Sequence, residues 1–502
     1  MNVTVAVESD RVPAWQKWCI DGLREVEGAR VSVVRAPGAP PSRRAAPAKL
    51  TGPALAPTAV TLSSDAAPQA DIVLDLAGGA AQFAAPGGVW SLRLGETADG
   101  ALPFAREIGA GRTFEIALER RLDGKRDVLR SGRFGFTGYY ASTLRLVLEL
   151  AARWPAIYVS AANRARLPAP ERDAAPAVRA GALDTPRFAL ALARGAWKLL
   201  GGSLFEGTEW NVGLVHGDAR DVLASEPLHV RWLPAPARDT FIADPFIVER
   251  DGLRVLFVEA YESALGKGKI DALTLADDGS VASRERILDL DTHLSYPYPL
   301  EIDGELYLIP ENSDAREAAL YRCVEFPHRW TREAALFENL DATDTTIVPH
   351  DGRWWAFCSQ YAHGEFALFA YHAASPRGPW TPHALNPIVC DITRARPAGT
   401  PFVVDGALFR PGQDCSRSYG GGLTISRIDV LTPDDYRETV VRRIQARTFA
   451  RYRDGVHTLS FGSGVIVIDG KRTFWDVRRL RYGLPKAARL LSRLVRRRAA
   501  ST

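Results

Sequence analysis

The chain has 502 residues, 46% hydrophobic and 24% charged, a composition typical of a globular protein with more than one hydrophobic core. Its formal net charge of +4 is small for this length, so the charge balance indicates no nucleic-acid partner. The five cysteines lack CxxC spacing, so we predict no disulfide framework and no metal site. Because neither a secretory signal nor a run of about 18 apolar residues is found, we expect a cytoplasmic protein.

Residues 1–163 are predicted to form an α/β domain. A β-type apolar run at 3–7 is followed by a helical pattern at 14–27 and a second apolar run at 31–34. The segment 36–69 is rich in Pro and Ala and is interpreted as a surface excursion. The domain ends with a predicted helix at 142–154, and the Pro/Ala/Arg-rich residues 164–187 are predicted to be a linker.

An internal repeat dominates residues 188–482. Five times, a β-type run leads into Asp-Gly and then into another apolar run, a strong signal for a tight hairpin. Units of roughly 50 residues are typical of one four-stranded propeller blade, so we predict an all-β five-bladed β-propeller, with a β-sandwich as the alternative. Strands at 210–216 and 229–232 are expected to close the ring with the last blade. The pairs begin at Asp251, Asp303, Asp351, Asp405 and Asp469.

Alignment of the repeats on Asp-Gly predicts a ring of side chains at one mouth of the propeller. The first strand of each hairpin begins, and the second ends, at the same edge of the sheet. The early positions are Asp244, Tyr296, Asp344, Ala398 and Gly462, and the late positions are Glu259, Glu311, Ser359, Gln413 and Val477.

Four of these positions are carboxylates and are the candidate catalytic residues: Asp244, Asp344, Glu311 and Glu259. Grouped carboxylates suit sugar chemistry, because an oxocarbenium-like transition state needs a nearby anion and the exchanged oxygens need an acid and a base. Each of them is equally interpretable as a cap, a turn former or an ion-pair partner. Candidate substrate-binding residues, for hydroxyls, a phosphate or a sugar ring, are Tyr298, Arg396, Gln413, Asp414, Arg417 and His457, although each is individually compatible with an ordinary structural role. No cofactor is assigned.

The motifs of the repeat region resemble a known family. The segments ADPFIVERDG, YPYPLEIDGELYLIPENS, ARPAGTPF and RPGQDCSRSYGGG resemble bacterial proteins related to the N-terminal propeller region of plant glucosamine inositolphosphorylceramide transferase, over about residues 239–470. The implied fold is similar to the propellers of arabinanases, β-xylosidases and levansucrases, whose blade-one Asp corresponds to Asp244. Asp344 and Thr345 stand where those hydrolases usually place a Glu, which weakens the implied hydrolase activity.

The N-terminal segments VAVESDRVPAWQ, DIVLDLAGG and RSGRFGFTGYYASTLRLVLELAARWPA resemble a formyltransferase-like domain. Formyl transfer in that family depends on an Asn-His-Asp set. Here the corresponding segment carries Arg93, and no histidine precedes His216. The resemblance therefore implies a non-formylating scaffold or a binding unit.

Residues 483–502 are predicted to form a basic amphipathic tail. Within 484–498, apolar side chains fall on one helical stripe and Lys and Arg fill the other surface. Such a helix suits an anionic membrane interface, although it also suits a solvated terminus or packing on another domain. If the helix binds a membrane, we expect the protein to lie at the inner face of that membrane.

Three functions follow from these observations. The preferred one is a glycosyltransferase-like enzyme of bacterial surface polysaccharide or glycolipid biosynthesis, with an activated sugar or glycan as substrate and a lipid-linked acceptor. The alternatives are a furanoside glycosidase-like hydrolase and a non-catalytic glycan-binding scaffold.

Overall fold

A computed structural model describes residues 1–36, 48–63, 69–78, 83–96, 102–174 and 183–477. Among these residues, 1–202 belong to one compact unit and 203–477 to a second. Within the described ranges, no helix is long and apolar enough to cross a membrane. The predicted amphipathic helix at 484–498 lies outside the described residues.

The first unit is built on a mixed sheet with helices packed beside it. Five of the six residues of its first strand are buried, as in a strand covered on both faces, and the first helix buries Cys19, Ile20 and Leu23 on one face. Strands and helices alternate along this unit, and its likeness to formyltransferases stays a prediction. The elements are β1 (Asn2–Val7), β2 (Arg11–Pro13), α1 (Ala14–Arg24), β3 (Arg30–Arg35), α2 (Ala48–Thr51), β4 (Pro57–Ala59), β5 (Ile72–Asp75), β6 (Val89–Leu94), α3 (Ala105–Gly109), β7 (Phe114–Leu122), β8 (Lys125–Phe134), α4 (Tyr140–Ala152), α5 (Trp154–Asn163) and β9 (Arg172–Asp173).

Among the described residues, the main sheet has the order β3-β1-β5-β6-β7-β8-β9, and β2 pairs with β4 separately. Strands β1, β3, β5 and β6 run parallel, whereas β7 to β9 are antiparallel.

A helix, α6 (Thr185–Phe205), occupies the predicted end of the linker and the predicted start of the propeller. The run from 188 to 200 is rich in Ala and Leu, which are strong helix formers, and it lacks the period-two alternation of a strand. Residues 188–205 are therefore helical rather than part of a blade, and the first strand of the second unit begins at Glu206.

The second unit is a five-bladed β-propeller, as the repeat predicts. Each blade is an antiparallel sheet of four strands, and the third blade also carries a short fifth strand, β24, paired with β22. The elements are β10 (Glu206–His216), α7 (Ala219–Leu223), β11 (Val230–Trp232), β12 (Thr240–Arg250), β13 (Leu253–Glu262), β14 (Lys267–Leu275), β15 (Val281–Leu288), β16 (Ser295–Ile302), β17 (Glu305–Glu311), β18 (Glu317–Glu325), β19 (Arg329–Glu338), β20 (Ala342–His350), β21 (Arg353–Gln360), β22 (Ala367–Ala373), β23 (Thr381–Pro382), β24 (Val389–Cys390), β25 (Phe402–Val404), β26 (Ala407–Gln413), β27 (Gly422–Leu431), β28 (Tyr436–Gln445), β29 (Leu459–Gly462) and β30 (Val465–Trp475).

The ring closes through the fifth blade, whose strand order is β11-β10-β30-β29. The inner strands of this blade come from the end of the unit, and the outer two come from its beginning. Strand β10 pairs with β30 along its whole length, from Glu206 opposite Trp475 to His216 opposite Val465. The predicted closure is therefore confirmed, and it joins the first and last strands of the propeller by a continuous hydrogen-bonded ladder.

Four of the five Asp-Gly pairs form hairpin turns, and the fifth prediction is wrong. Asp251, Asp303, Asp351 and Asp405 have φ between 47° and 55°, the left-handed conformation that such turns require. Asp469 instead lies inside β30 and is fully buried, whereas the turn falls at Ser463 and Gly464.

A packing requirement explains the glycine of this fifth pair. A Cβ on Gly470 would lie 2.2 Å from the Trp232 ring, so glycine is needed there for close packing rather than for a turn. The shifted turn also removes Gly462 and Val477 from the predicted mouth positions.

Candidate functional site

Three innermost strands bend in the same way at the predicted mouth positions. The pairing register slips at Asp244 in the first blade, Tyr296 in the second and Asp344 in the third. All three residues have positive φ, between 44° and 53°, which is uncommon for residues other than glycine. Bulges of this kind re-aim side chains, and backbone strain is often found at functional sites, so these three positions define the candidate site.

Asp244 belongs to a buried cluster with groups from the fifth blade. Its Oδ1 accepts a hydrogen bond of 2.6 Å from the Thr458 hydroxyl and lies 3.5 Å from His457 Nδ1. Asp469 Oδ2 lies 2.5 Å from the same His457 nitrogen. The other oxygen of Asp469 accepts hydrogen bonds from the backbone N–H groups of His457 and Thr458. The fifth blade thus completes a site that begins on the first blade.

Asp344 belongs to a second buried cluster. Its Oδ2 accepts hydrogen bonds of 2.6 Å from Arg396 Nε and 3.2 Å from Gln413 Nε2. Arg396 Nη2 also lies 3.6 Å from Glu311 Oε2, a buried oxygen without a hydrogen-bond partner among the described residues. One guanidinium group therefore faces two carboxylates.

Tyr296 joins the two clusters. Its backbone N–H donates to Asp244 Oδ2 at 3.3 Å, and its hydroxyl contacts Thr346 Oγ1 at 2.9 Å. The hydroxyl also accepts a 2.7 Å hydrogen bond from the backbone N–H of Gly399. A Cβ on Gly399 would lie 1.9 Å from the Leu459 carbonyl oxygen, so the centre of the ring admits only glycine at this position.

Within the described chain, Glu259 makes no ion pair with Arg396 or His457, the basic groups of the two clusters. Its nearest ionisable nitrogen is His293 Nε2, at 3.6 Å. The Gly268 backbone N–H donates to His293 Nδ1 at 2.9 Å, so in the neutral ring the proton is on Nε2 and faces the carboxyl. Burial, followed by the charges of Asp244 and Glu311, raises the pKa of Glu259 well above its ordinary value.

Several ionisable groups of the two clusters also have shifted pKa values. Burial raises the pKa of Asp344 to about 7, although Arg396 opposes the shift. Burial also raises the pKa of Asp244, against the nearby His457. The pKa of His457 is raised because Asp469 and Asp244 outweigh the effect of its burial. The site therefore combines Glu259, whose raised pKa favours the protonated acid, with Asp344, which titrates near neutral pH.

Two aromatic rings, those of Trp210 and Tyr419, lie beside the carboxylates. The Trp210 ring stacks on His457, with centroids 3.9 Å apart, and the Tyr419 ring meets the same imidazole edge-on at 5.5 Å. The Arg396 guanidinium lies 5.2 Å from the Tyr419 centroid. Tyr419 is 44% exposed, so it offers an aromatic surface at the mouth of the kind that stacks on sugar rings.

The structure brings together seven of the predicted site residues, and the other three make no described hydrogen bond or ion pair with them. Asp244, Glu259, Glu311, Asp344, Arg396, Gln413 and His457 lie in or beside the two clusters.

Tyr298 is a correction, because its ring packs against Phe246 and its hydroxyl donates to the Ile347 carbonyl, which leaves it buried in the core. Asp414 caps the backbone N–H of Ser416 within its loop. Arg417 is exposed, and it takes part in no described hydrogen bond or ion pair in residues 183–477.

Four residues of the site escape the sequence reasoning: Trp210, His293, Tyr419 and Asp469. The sequence predicts a turn at Asp469, because an Asp-Gly pair inside a strand has the same sequence as one in a hairpin. The other three lie on a closing strand or on loops where the repeat provides no equivalent position. Only Tyr419 could have been suspected from the sequence, because it lies in the loop that follows Gln413, a predicted site residue.

Asp244, His457 and Asp469 also offer ligand atoms that all lie within 4.8 Å of one another, a spacing that a cation would use. These atoms already satisfy one another by hydrogen bonds and charge pairing. The prediction that no metal is bound stays a prediction.

Comparison with known proteins is informative for the propeller. Residues 233–456 match the family described as glucosamine inositolphosphorylceramide transferase 1, N-terminal. The chain is 34% identical over 248 residues to glucosamine inositolphosphorylceramide transferase 1 of Oryza sativa subsp. japonica, covering 46% of this chain and 33% of that protein. It is 36% identical over 208 residues to the Arabidopsis thaliana protein of the same name, covering 40% and 27%. The chain thus spans about a third of the length of these plant relatives.

Among solved structures, the catalytic domain of the GH62 α-L-arabinofuranosidase of Coprinopsis cinerea is similar with a TM-score of 0.36 and 14% identity, over 51% of this chain and 83% of that one. A family 117 glycoside hydrolase from Zobellia galactanivorans has a TM-score of 0.34 and 11% identity, over 55% and 92%.

Proposed function

We propose that the propeller is a glycosyl-transferring enzyme of glycolipid biosynthesis, with the mouth carboxylates as its catalytic groups. The observation that carries the proposal is the grouping of buried carboxylates at the mouth, where Asp344 faces Arg396, Asp244 lies beside His457, and Glu259 has, among the residues described, only His293 within ion-pair distance. Burial raises the pKa of Glu259 well above its ordinary value, which favours the protonated acid, whereas Asp344 has a pKa of about 7 and so exists substantially as the anion at neutral pH. The plant relatives are named glucosamine inositolphosphorylceramide transferase 1, and this name supports the same choice.

The proposed step is a displacement at the anomeric carbon of a sugar. Glu259 donates its proton to the leaving oxygen as the bond from that oxygen to the anomeric carbon breaks. Asp344 takes the proton of the acceptor hydroxyl, whose oxygen forms the new bond. Asp244, which is held by Thr458 and the Tyr296 N–H, stabilises the positive charge that develops on the ring. Glu259 thus ends the step as a carboxylate and Asp344 as a carboxylic acid, so the two groups together carry the same number of protons as before.

Hydrolysis is the second candidate, because the same acid and base serve equally well when water replaces the acceptor hydroxyl. A glycan-binding scaffold is the third, and it predicts that none of these carboxylates affects turnover. A lipid-linked acceptor and a position at the inner face of the membrane complete the proposal.

The test is product analysis by mass spectrometry, with nucleotide-activated sugars and inositolphosphoryl lipids as substrates. We expect wild type to form a glycosylated lipid, and Asp244→Asn and Glu259→Gln to lose this activity. The matched control is Asp351→Asn, in an exposed hairpin turn where Asn also accepts positive φ. Free sugar as the only product would establish hydrolysis. Equal turnover by wild type and both site variants would refute catalysis at this mouth.

A further inference from the structure

A second cavity opens on the propeller between the fifth and first blades. It has a volume of about 500 Å³, within the range of small-molecule sites. Its walls come from β10, β30, the segment before β12 and the residue that follows β13. The lining residues lie near the starts of β10 and β12 and at the ends of β13 and β30. Asp244 and Glu259 lie near the same ends of β12 and β13, so the cavity and the mouth are on the same edge of the blades.

The cavity lies close to the carboxylate site along two strands. Glu209 lines the cavity, and the next residue on β10 is Trp210, whose ring stacks on His457. Thr240 also lines it and precedes Asp244 by four residues on β12, a separation of about 13 Å along a strand. A chain of two or three sugar units spans such a distance.

The lining has the mixed character that sugars require. Arg472 Nη2 donates to Glu209 Oε2 at 2.8 Å, and Arg238 Nη2 donates to Asp476 Oδ2 at 3.0 Å. Each guanidinium carries five N–H donors, and its ion pair holds it in a fixed orientation while leaving further donors for a ligand. Phe474 adds an apolar surface.

Charge distinguishes this cavity from an anion site. The two arginines in the lining are matched by the acids Glu209, Asp239 and Asp476, so neither sign dominates. A neutral ligand with many hydroxyl groups fits such paired planar charges, whereas a phosphate or a nucleic acid needs an excess of cations.

We propose that this cavity is a second carbohydrate subsite, which holds the outer units of a glycan whose terminal sugar occupies the mouth. The inference rests on the proposed function, because it takes the mouth as the site of the reacting sugar. The subsite would select substrates by chain length, since only a glycan of several units reaches both positions.

The test compares affinity with chain length. Wild type and the double variant Arg238→Ala/Arg472→Ala are titrated with an array of neutral oligosaccharides from one to six units. Both arginines are more than two-fifths exposed, so the substitutions should leave the fold intact, which circular dichroism checks. The matched control is Arg427→Ala, which removes another exposed arginine from an ion pair, on β27.

We expect wild type to bind at least one glycan of three or more units about tenfold more tightly than its terminal monosaccharide. The double variant should lose this advantage and keep the monosaccharide affinity, and Arg427→Ala should behave as wild type. The proposal is overturned if affinity does not rise with chain length for any glycan, or if the double variant keeps the advantage.

The Asp244→Asn turnover assay reports separately on the mouth. A length advantage that is abolished by the double variant, together with unchanged turnover in Asp244→Asn, would retain the cavity as a glycan site and refute the proposed function.

Discussion

Glu259 differs from the other mouth carboxylates in having neither Arg396 nor His457 against it. Because its raised pKa favours the protonated carboxyl that an acid needs, activity should fall as pH rises through that pKa. Glu259→Gln should lower kcat by about 10²- to 10⁴-fold and abolish this alkaline limb of the pH–rate profile. Steady-state rates between pH 5 and pH 9, roughly the range in which such catalytic groups titrate, provide the measurement. A variant with wild-type kcat would exclude Glu259 as the acid.

The same carboxyl should cost stability at high pH. A carboxyl with a raised pKa contributes stability that is fully present below its unfolded pKa of about 4.3 and is lost as pH rises through the folded value. Glu259→Gln has no carboxyl to ionise at this position and avoids that loss. Between the unfolded and the folded pKa of Glu259, the free energy of unfolding of the variant, relative to that of wild type, should rise by about 1.4 kcal/mol per pH unit. Denaturant unfolding of both proteins at several pH values measures the gain. A difference that is independent of pH would show that Glu259 is not perturbed.

Tyr298 tests the correction to the predicted binding residues. Removal of its hydroxyl leaves the Ile347 carbonyl without this partner, so Tyr298→Phe should destabilise the fold by about 1 kcal/mol. Because the ring is buried in the core, KM for the sugar should not change. A raised KM with unchanged stability would restore Tyr298 to the substrate site.

Sequence reasoning reaches the residues that the repeat makes equivalent. Asp244 and Asp344 are predicted because each lies seven residues before an Asp-Gly turn, and Glu259 and Glu311 are predicted because hairpin ends share an edge. Trp210 and His293 are missed because contacts across the ring depend on closure and loop paths, which no local pattern encodes. Asp469 is missed because a dipeptide does not reveal whether its aspartate is buried.

At the scale of elements, the two kinds of Asp-Gly should respond differently to the same substitution. Asp303→Gly lies in an exposed turn with positive φ, which glycine accepts, so stability should change by less than about 0.5 kcal/mol. Asp469→Gly removes the acceptor of two backbone N–H groups and of His457, and should cost about 3 kcal/mol or more. Thermal unfolding of both variants provides the comparison. Equal stability of the two would argue that Asp469 has no structural role.

The closing blade should be essential for folding. The segment that matches the family, 233–456, ends before His457 and contains none of β10, β11, β29 and β30. A fragment of these residues leaves the ring open, with unpaired strand edges, so it should show no cooperative unfolding transition. Residues 203–477, which retain all five blades, should show one, and calorimetry distinguishes the two outcomes. Cooperative unfolding of 233–456 would mean that four blades suffice.

The elements themselves were predictable to different degrees. Turn chemistry and period-two alternation predict four of the hairpins and the closing strands, because both signals are local. Helix α6 is not predicted, because the Pro- and Arg-rich composition before it favours a linker that continues into the first blade. Its Ala- and Leu-rich sequence favours a helix, and this local preference determines the structure there.

At the scale of the whole molecule, the site depends on the circular arrangement of the blades. Asp244 from the first blade, Asp344 from the third, Gln413 from the fourth and Asp469 from the fifth are far apart in sequence and meet only at the mouth. The fold class and the position of the mouth follow from the repeat. The pairing of each cation with two carboxylates does not, because it requires the closed ring.

The most direct measurement is a crystal structure of the protein soaked with a glycan on which it acts. We expect density for a terminal sugar at the mouth, with the oxygen on its anomeric carbon within hydrogen-bond distance of Glu259 and a hydroxyl near Asp344. Density confined to the first unit or to the outer surface of the blades, with the mouth empty, would contradict this expectation.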